Sequence, residues 1–322
     1  MQLKTLAAAL PLREVDGPLE REIEGIYYDS RRVQKNGLYV AVRGAKVDGH
    51  KFTEQAIERG ATALVVEEHE AHSRATTLVV DDSRRALADL AFVFHRKPAL
   101  RLKMAGITGT NGKTTTTFLL KHICESAGVR SGLIGTVRYQ IGERILPATR
   151  TTPESADLQE LLAQMVGAGC KAAIMEVSSH AIAQERIRGL EWNVAIFTNL
   201  TQDHLDFHRT MADYFEAKAK LFTGLAPQEN KKDAVAVINL DDRYGEQLIQ
   251  RLGESVPVVT YGLWQRAAVR ASNYRTEFGG TSLLLDPSVR SYLRHIPLIV
   301  RLTLFPASRP PPSPFARCPL PR

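Results

Sequence analysis

Residues 106–114 read Gly-Ile-Thr-Gly-Thr-Asn-Gly-Lys-Thr, the run whose residue types and spacing carry the most chemistry in this chain. Glycines there let backbone N–H groups turn inward around an anion. Lys113 can reach terminal phosphates, and the Thr114 hydroxyl can ligate magnesium. A helix opening at Lys113 would add partial positive charge at its N-terminus. Strict phosphate-loop spacing, G-x-x-x-x-G-K-[ST], wants glycine at 107; Ile107 stands there, and an extra Gly109 lies inside the loop. Flanking strand-like and helix-like runs still favour a nucleotide loop over a chance Gly-Lys-Thr turn.

Further polar groups follow apolar runs. Glu176 ends AAIMEV, where a carboxylate beside a phosphate loop could supply oxygen to a nucleotide-bound magnesium; in isolation it is also an ordinary solvated strand-end acid. Residues 199–208 read NLTQDHLDFH, and the spacing of His204 and His208 could make part of a zinc site on a helix. Zinc is not expected, because no cysteine or third histidine is suitably spaced and the loop already implies magnesium. YFEAKAKLF at 214–222 reads as an amphipathic helix with Phe215, Leu221 and Phe222 inward; its lysines suit a solvated face, and spacing alone does not promote Lys218 over Lys220. Near the N-terminus, Asp29-Ser30-Arg31 and Val47–Phe52 could bind a diphosphate or stack on a base, although loop capping explains each more simply.

The elements that must position these groups alternate. Gly37–Val42, Thr62–Val66 and Thr77–Val80 read as strands, and Thr53–Arg59 and Ser83–His95 as helices, a small α/β unit. A Pro-containing link at Lys97–Leu100 suggests a boundary near residue 100. Beyond it, Arg101–Ile107 reads as a strand and Lys113–Ala127 as a helix, with Leu119, Ile123 and Ala127 on one face and Gly128 as its stop. Thr152-Pro153-Glu154 predicts a helix start with a hydroxyl cap and proline at the first position. Apolar strands follow at Ala172–Val177, Val194–Thr198, Ala234–Asn239 and Val256–Tyr261. Such strands, separated by helices, predict a mainly parallel sheet with ligands at its carboxyl edge.

Composition narrows the function classes. Six arginines and no acid fall in residues 290–322; removing them from the net charge of +7 leaves +1 for residues 1–289. The basic balance therefore belongs to the tail, which argues against a nucleic-acid-binding body. No apolar run is long enough for a membrane helix. Three cysteines without paired spacing suggest a reducing, cytoplasmic compartment. The tail holds 8 of the 16 prolines and from 302 onward lacks helical or strand periodicity, so it is expected to be disordered.

With these residues in view, the chain resembles the Mur ligases, the ATP-dependent amide ligases of peptidoglycan synthesis, from about residue 20 to about 300. GITGTNGKTTT, TTP at 151–153, MEVSSH at 175–180, NLTQDHLDFH at 199–208 and YFEAKAKLF at 214–222 match in order, Ile107 included. The resemblance implies a UDP-MurNAc-binding domain over 1–100, a central ATP-binding domain over 101–301 and a non-native tail over 302–322. It implies that Gly109, Thr110, Asn111, Gly112, Lys113, Thr114, Thr115, Asn239 and Asp241 meet ATP. Thr114, Glu176, His204 and a carbamylated Lys218 would hold Mg2+; Ser30 and His50 would meet the uridine nucleotide. Thr151, Thr152, Ser178, Gln184 and Arg186 would contact the muramoyl peptide. The implied reaction phosphorylates UDP-MurNAc-L-Ala-D-Glu and then joins a diamino acid, meso-diaminopimelate or L-lysine, in a cytoplasmic monomer. Family members continue into a third domain, so a frameshifted or truncated, weakly active or inactive form is the expectation here. Rivals are a folylpolyglutamate synthase, a simple phosphotransferase and a nucleotide-binding fragment.

Overall fold

A computed structural model describes residues 1–44, 47–69, 72–226, 228–263, 267–277 and 280–287, with the side chains of Leu205 and residues 272–287 left aside. The expected tail over 302–322, the last residues of the expected central domain and Cys318 lie outside the described residues.

The first unit is a five-stranded sheet: β1 (Leu12–Asp16), β2 (Gly25–Tyr27), β3 (Gly37–Val40), β4 (Ala61–Val66) and β5 (Thr76–Val80), in the order β1-β5-β4-β3-β2. β2 to β5 are parallel and β1 is antiparallel. α1 (Leu3–Ala7), α2 (Thr53–Glu58) and α3 (Ser83–Phe94) accompany it. Leu3, Leu6 and Leu10 join Leu87 and Leu90 of α3 over one sheet face; Ala56 and Ile57 of α2 cover the other. Asp82 caps α3 by accepting the N–H groups of Arg84 and Arg85 at 2.9 and 3.0 Å.

A short turn at Pro98–Arg101 leads into the second sheet. Buried Lys231 holds that turn: its Nζ donates to the carbonyls of Ala99 and Leu102 at 3.0 Å and of Glu191 at 2.7 Å. Burial pushes its ammonium down to about 8.

The second sheet contains β6 (Lys103–Thr108), β7 (Ser131–Ile134), β8 (Arg138–Ile141), β9 (Arg144–Pro147), β10 (Ala172–Glu176), β11 (Val194–Phe197), β12 (Val235–Asn239), β13 (Val258–Gly262), β14 (Val269–Glu277) and β15 (Gly280–Pro287). Its order is β15-β14-β13-β12-β11-β6-β10-β7-β8-β9. Pairing is parallel from β14 through β7 and antiparallel in the β14–β15 hairpin at one edge and the β7–β8–β9 meander at the other. Helices α4 (Lys113–Ser126), α5 (Ser155–Gly167), α6 (Ser179–Ala183), α7 (Leu205–His208), α8 (Met211–Thr223) and α9 (Arg243–Leu252) connect the strands. β6 is flanked by β10 on one side and β11 on the other, with Ile107 opposite Glu176 and Thr108 opposite Phe197. That reversal of strand order opens a crevice at their carboxyl ends. Among the described residues, no helix is long and apolar enough to cross a membrane.

Several sequence expectations shift: the strand expected at Arg101–Ile107 runs over Lys103–Thr108 and that at Gly37–Val42 over Gly37–Val40. α5 starts at Ser155 with Glu154 in the cap position and no side-chain cap, so Thr152 and Pro153 precede the helix. The Thr152 hydroxyl is engaged elsewhere: it donates to the Glu176 carbonyl at 2.8 Å and accepts from the Ser178 N–H at 3.1 Å. On α4, Thr117 and Lys121 are the buried residues, and Leu120 and Cys124 pack on Ile107 and Ile174; Leu119 and Ile123 are half-buried and Ala127 is exposed. Lastly, the strand expected at Val256–Tyr261 runs over Val258–Gly262.

Candidate functional site

The loop after β6 is pinned before it can wrap anything. The N–H groups of Thr110 and Asn111 donate to the backbone and side-chain oxygens of Asn199 at 2.8 and 2.9 Å. Thr198 Oγ1 and Asn199 Nδ2 donate to the Asn111 carbonyl at 2.7 and 3.1 Å. Gly109 has φ +149°, and a Cβ there would lie 1.9 Å from Thr198 Oγ1 and 3.0 Å from the Asn199 backbone. Glycine is required by this close approach. Ile107 lies inside β6 and is fully buried, so the departure from strict loop spacing falls on a sheet core residue.

A cavity of about 270 Å³ opens above this loop, lined by Thr110–Thr115, Thr136, Thr151, Glu176, Ser178, Ser179, His204 and Lys218. The first N–H groups of α4, from Lys113 onward, have no acceptor within the helix and suit an anion. Lys113 Nζ donates to the carbonyls of Gly109 and Thr110, both at 2.9 Å. Burial lowers its ammonium from the ordinary value, opposed by Glu176 and Asp203.

Lys218 and Lys220 part company here. Lys218 is 2% exposed, with Nζ donating to the Gly109 carbonyl at 3.0 Å and lying 4.6 Å from the centre of the Tyr214 ring. Lys220 is exposed. Burial, then the nearby Lys113 charge, holds the Lys218 amine well below its ordinary range. A neutral amine is the form that can attack carbon dioxide.

Glu176, at the end of β10, is 1% exposed and accepts from the Thr136 N–H and hydroxyl, both at 3.0 Å. His204 has φ +53°, and its ring centre stands 5.0 Å from that of His180 and 6.0 Å from that of Tyr214. Among the described residues, no three His, Cys, Asp or Glu side chains converge as a metal cage. The metal-binding groups lining the cavity are the Glu176 carboxylate, hydroxyls, the Asn111 amide oxygen and the His204 imidazole, beside the amines of Lys113 and Lys218. That set fits a magnesium ion sharing its shell with phosphate oxygens and water, and does not fit structural zinc.

The other candidates lie outside the cavity lining. Arg186 is buried; it donates to the Thr152 carbonyl at 3.0 Å and pairs with Glu154 at 3.0 Å and with Gln184. Glu154 also lies 3.7 Å from Arg84 of α3, which ties the first unit to this cluster. Asn239 is fully buried, donating to the Thr198 carbonyl at 2.8 Å and accepting from the Asp241 N–H at 3.0 Å. Ser30 and His50 belong to the first unit. Ser30 donates to Gln55 at 2.6 Å. His50 Nε2 accepts from the Glu67 N–H at 3.0 Å, which places its proton on Nδ1, 2.7 Å from Asp48.

Sequence reasoning missed several participants. Tyr139 holds the segment before Thr151: its hydroxyl donates to the Arg150 carbonyl at 2.7 Å and accepts that residue's N–H at 3.0 Å. His180 sits 4.1 Å from Phe207 between ring centres and 5.6 Å from His208; His208 Nε2 bonds Ser179 Oγ at 2.8 Å. Burial, then His204 and Arg186, holds the His180 imidazole below its ordinary value, and burial and His180 do the same for His208. The unfolded chain then binds protons more readily at these two sites, so their contribution to stability is full above about pH 6.5 and falls as pH drops through that value. Melts should show a lower Tm at pH 5.5 than at 7.5, with the difference reduced in His208→Gln. An unreduced difference would assign the pH response to other groups.

Residues 22–95 match the Mur ligase family catalytic domain, and residues 107–304 match the Mur ligase middle domain. UDP-N-acetylmuramoyl-L-alanyl-D-glutamate--2,6-diaminopimelate ligase of Geobacter sulfurreducens is 43% identical over 307 residues, covering 95% of this chain and 60% of the relative. The like-named ligase of Geobacillus thermodenitrificans is 43% identical over 286 residues, covering 88% and 58%. A solved structure of a ligase of that name superposes with TM-score 0.73 at 28% identity, covering 89% of this chain and 58% of that one. MurF ligase from Thermotoga maritima in complex with ADP shares the fold, with TM-score 0.53 at 19% identity over 82% of this chain and 56% of that one. The chain thus spans about three fifths of the length of the curated relatives it matches.

Proposed function

The chain belongs to the Mur ligase family, and we propose that it acts as an ADP-forming amide ligase that joins 2,6-diaminopimelate to UDP-MurNAc-L-Ala-D-Glu. The names of the similar relatives support diaminopimelate over L-lysine. One observation carries the reading: a single cavity gathers the phosphate loop, Glu176, His204, buried Lys218, Thr151 and Ser178. In this reading residues 1–100 bind the uridine nucleotide through Ser30 and His50, residues 101–301 bind ATP, and the reaction takes place in the cytoplasm.

The chemistry follows from the charges. A carboxylate is a poor electrophile, so its oxygen first takes the γ-phosphoryl of ATP and ADP departs. The amine of the diamino acid attacks the acyl phosphate carbon, the amide bond forms, phosphate leaves with the electron pair, and the nitrogen gives up its extra proton to phosphate or water. Lys113 and the α4 N-terminus neutralise charge on the transferring phosphoryl. Thr114, Glu176, His204 and Lys218 as its carbamate would hold magnesium, which supplies further charge neutralisation. Thr151, Thr152, Ser178, Gln184 and Arg186 would orient the acceptor peptide, with Asn239 and Asp241 toward the adenosine side. ADP release that requires UDP-MurNAc-L-Ala-D-Glu tests the proposal. Equal release without that acceptor would make the chain a simple ATPase.

A further inference from the structure

We propose that Thr136 is a positioning residue that aims the Glu176 carboxylate at the metal, with Gly135 supplying the space. The inference rests on the reading above, in which Glu176 ligates magnesium. Thr136 follows β7, and β7 pairs in parallel with β10, the last pair being Ile134 with Met175. The next residues on the two strands, Gly135 and Glu176, therefore meet at the sheet edge. The Thr136 N–H donates to Glu176 Oε1 and its hydroxyl to Oε2, each at 3.0 Å. A backbone N–H and a side-chain hydroxyl of one residue, one to each oxygen, fix both the tilt and the twist of the carboxylate plane. Each oxygen still has acceptor capacity left for a cation.

Two independent features make the arrangement specific. A Cβ at position 135 would lie 2.4 Å from Glu176 Oε1 and 3.1 Å from its carboxyl carbon, so any side chain there displaces the group. The Thr136 hydroxyl also sits 3.0 Å from the Thr151 hydroxyl. Thr136 has one hydroxyl proton. With it donated to Glu176, Thr136 Oγ1 accepts from Thr151, and the chain Thr151–Thr136–Glu176 polarises in one direction. A group that orients a metal ligand in this way commonly changes metal affinity by about 10–100-fold when removed.

Mn2+ binding, measured by electron paramagnetic resonance with saturating AMP-PNP, tests the inference without turnover. Thr136→Val should weaken Mn2+ about 10-fold while metal-free AMP-PNP affinity stays within twofold. Thr136→Ser should retain wild-type Mn2+ affinity, and Gly135→Ala should lose at least as much as Thr136→Val. On a Glu176→Gln background, Thr136→Val should cost nothing more, because Thr136 acts through Glu176. Thermal melts confirm folding of each variant. Wild-type affinity in Thr136→Val, an equal loss in Thr136→Ser, or a full loss retained on the Glu176→Gln background would each overturn the inference. Failure of the reading beneath it shows separately: the wild type would bind no Mn2+ with AMP-PNP, or Glu176→Gln alone would leave Mn2+ affinity unchanged. Either result sinks the inference as well.

Discussion

Replacing Lys113 by alanine is expected to weaken Mg·AMP-PNP binding by roughly 100- to 1000-fold, with little change in Tm. In a part-buried cleft, a charge-assisted hydrogen bond between an ammonium and phosphate oxygens contributes on the order of 3–4 kcal/mol, and each 1.4 kcal/mol is tenfold in affinity. In the structure Nζ spends its donors on the Gly109 and Thr110 carbonyls. Those carbonyls belong to the loop itself, so nucleotide phosphates and Lys113 would meet without rearrangement of the sheet. Lys113→Arg should recover only part of the affinity, because a planar fork cannot occupy the place of a compact ammonium. Isothermal titration at pH 7.5 measures both variants. A change below fivefold in Lys113→Ala would remove the loop from the account.

The second large effect concerns Lys218. A buried amine with a lowered pKa can form an N–C bond to carbon dioxide and release a proton, leaving an anionic carbamate. Lys218→Ala should then reduce acceptor-dependent ADP formation by about 100- to 1000-fold, the scale seen when one charge-stabilising group is lost from an active site. Lys220→Ala should leave the rate unchanged, because Lys220 is exposed on the same helix. Labelling with 13C-bicarbonate should add a carbamate carbon resonance to the wild type that Lys218→Ala lacks. A wild-type spectrum without that resonance, or equal losses at 218 and 220, would show that the amine acts unmodified or only structurally.

Much of the placement of this candidate site was legible in the sequence because a phosphate loop leaves few choices. Close backbone approach demands Gly109, a left-handed φ of +84° favours glycine at 112, and a strand-to-helix turn places Lys113 at a helix start. The parallel sheet was legible from near-continuous apolar runs separated by helices. Lys218 could have been separated from Lys220 by helical phase: Tyr214, Lys218, Leu221 and Phe222 recur at three- and four-residue steps and are all buried. That signal was present and unused. The Thr-Pro-Glu helix start misled because a hydroxyl before proline serves a cap and a strand-end clamp equally well, and here tertiary contact chose the clamp. The α4 face was misread because its buried stripe contains Thr117 and Lys121, which hydrophobicity does not flag. Thr136 and Gly135 carry no local pattern at all. Their meaning comes from the register of β7 against β10, which a single chain does not reveal.

The most direct test of the central claim is hydroxylamine trapping of an activated carboxyl. The chain is mixed with ATP, Mg2+ and UDP-MurNAc-L-Ala-D-Glu, without diamino acid. The account predicts one hydroxamate of the acceptor for each ADP released, its formation abolished in Lys113→Ala and dependent on all three components. ADP release with no acceptor hydroxamate would contradict it, since the cavity would then hydrolyse nucleotide without activating a carboxylate.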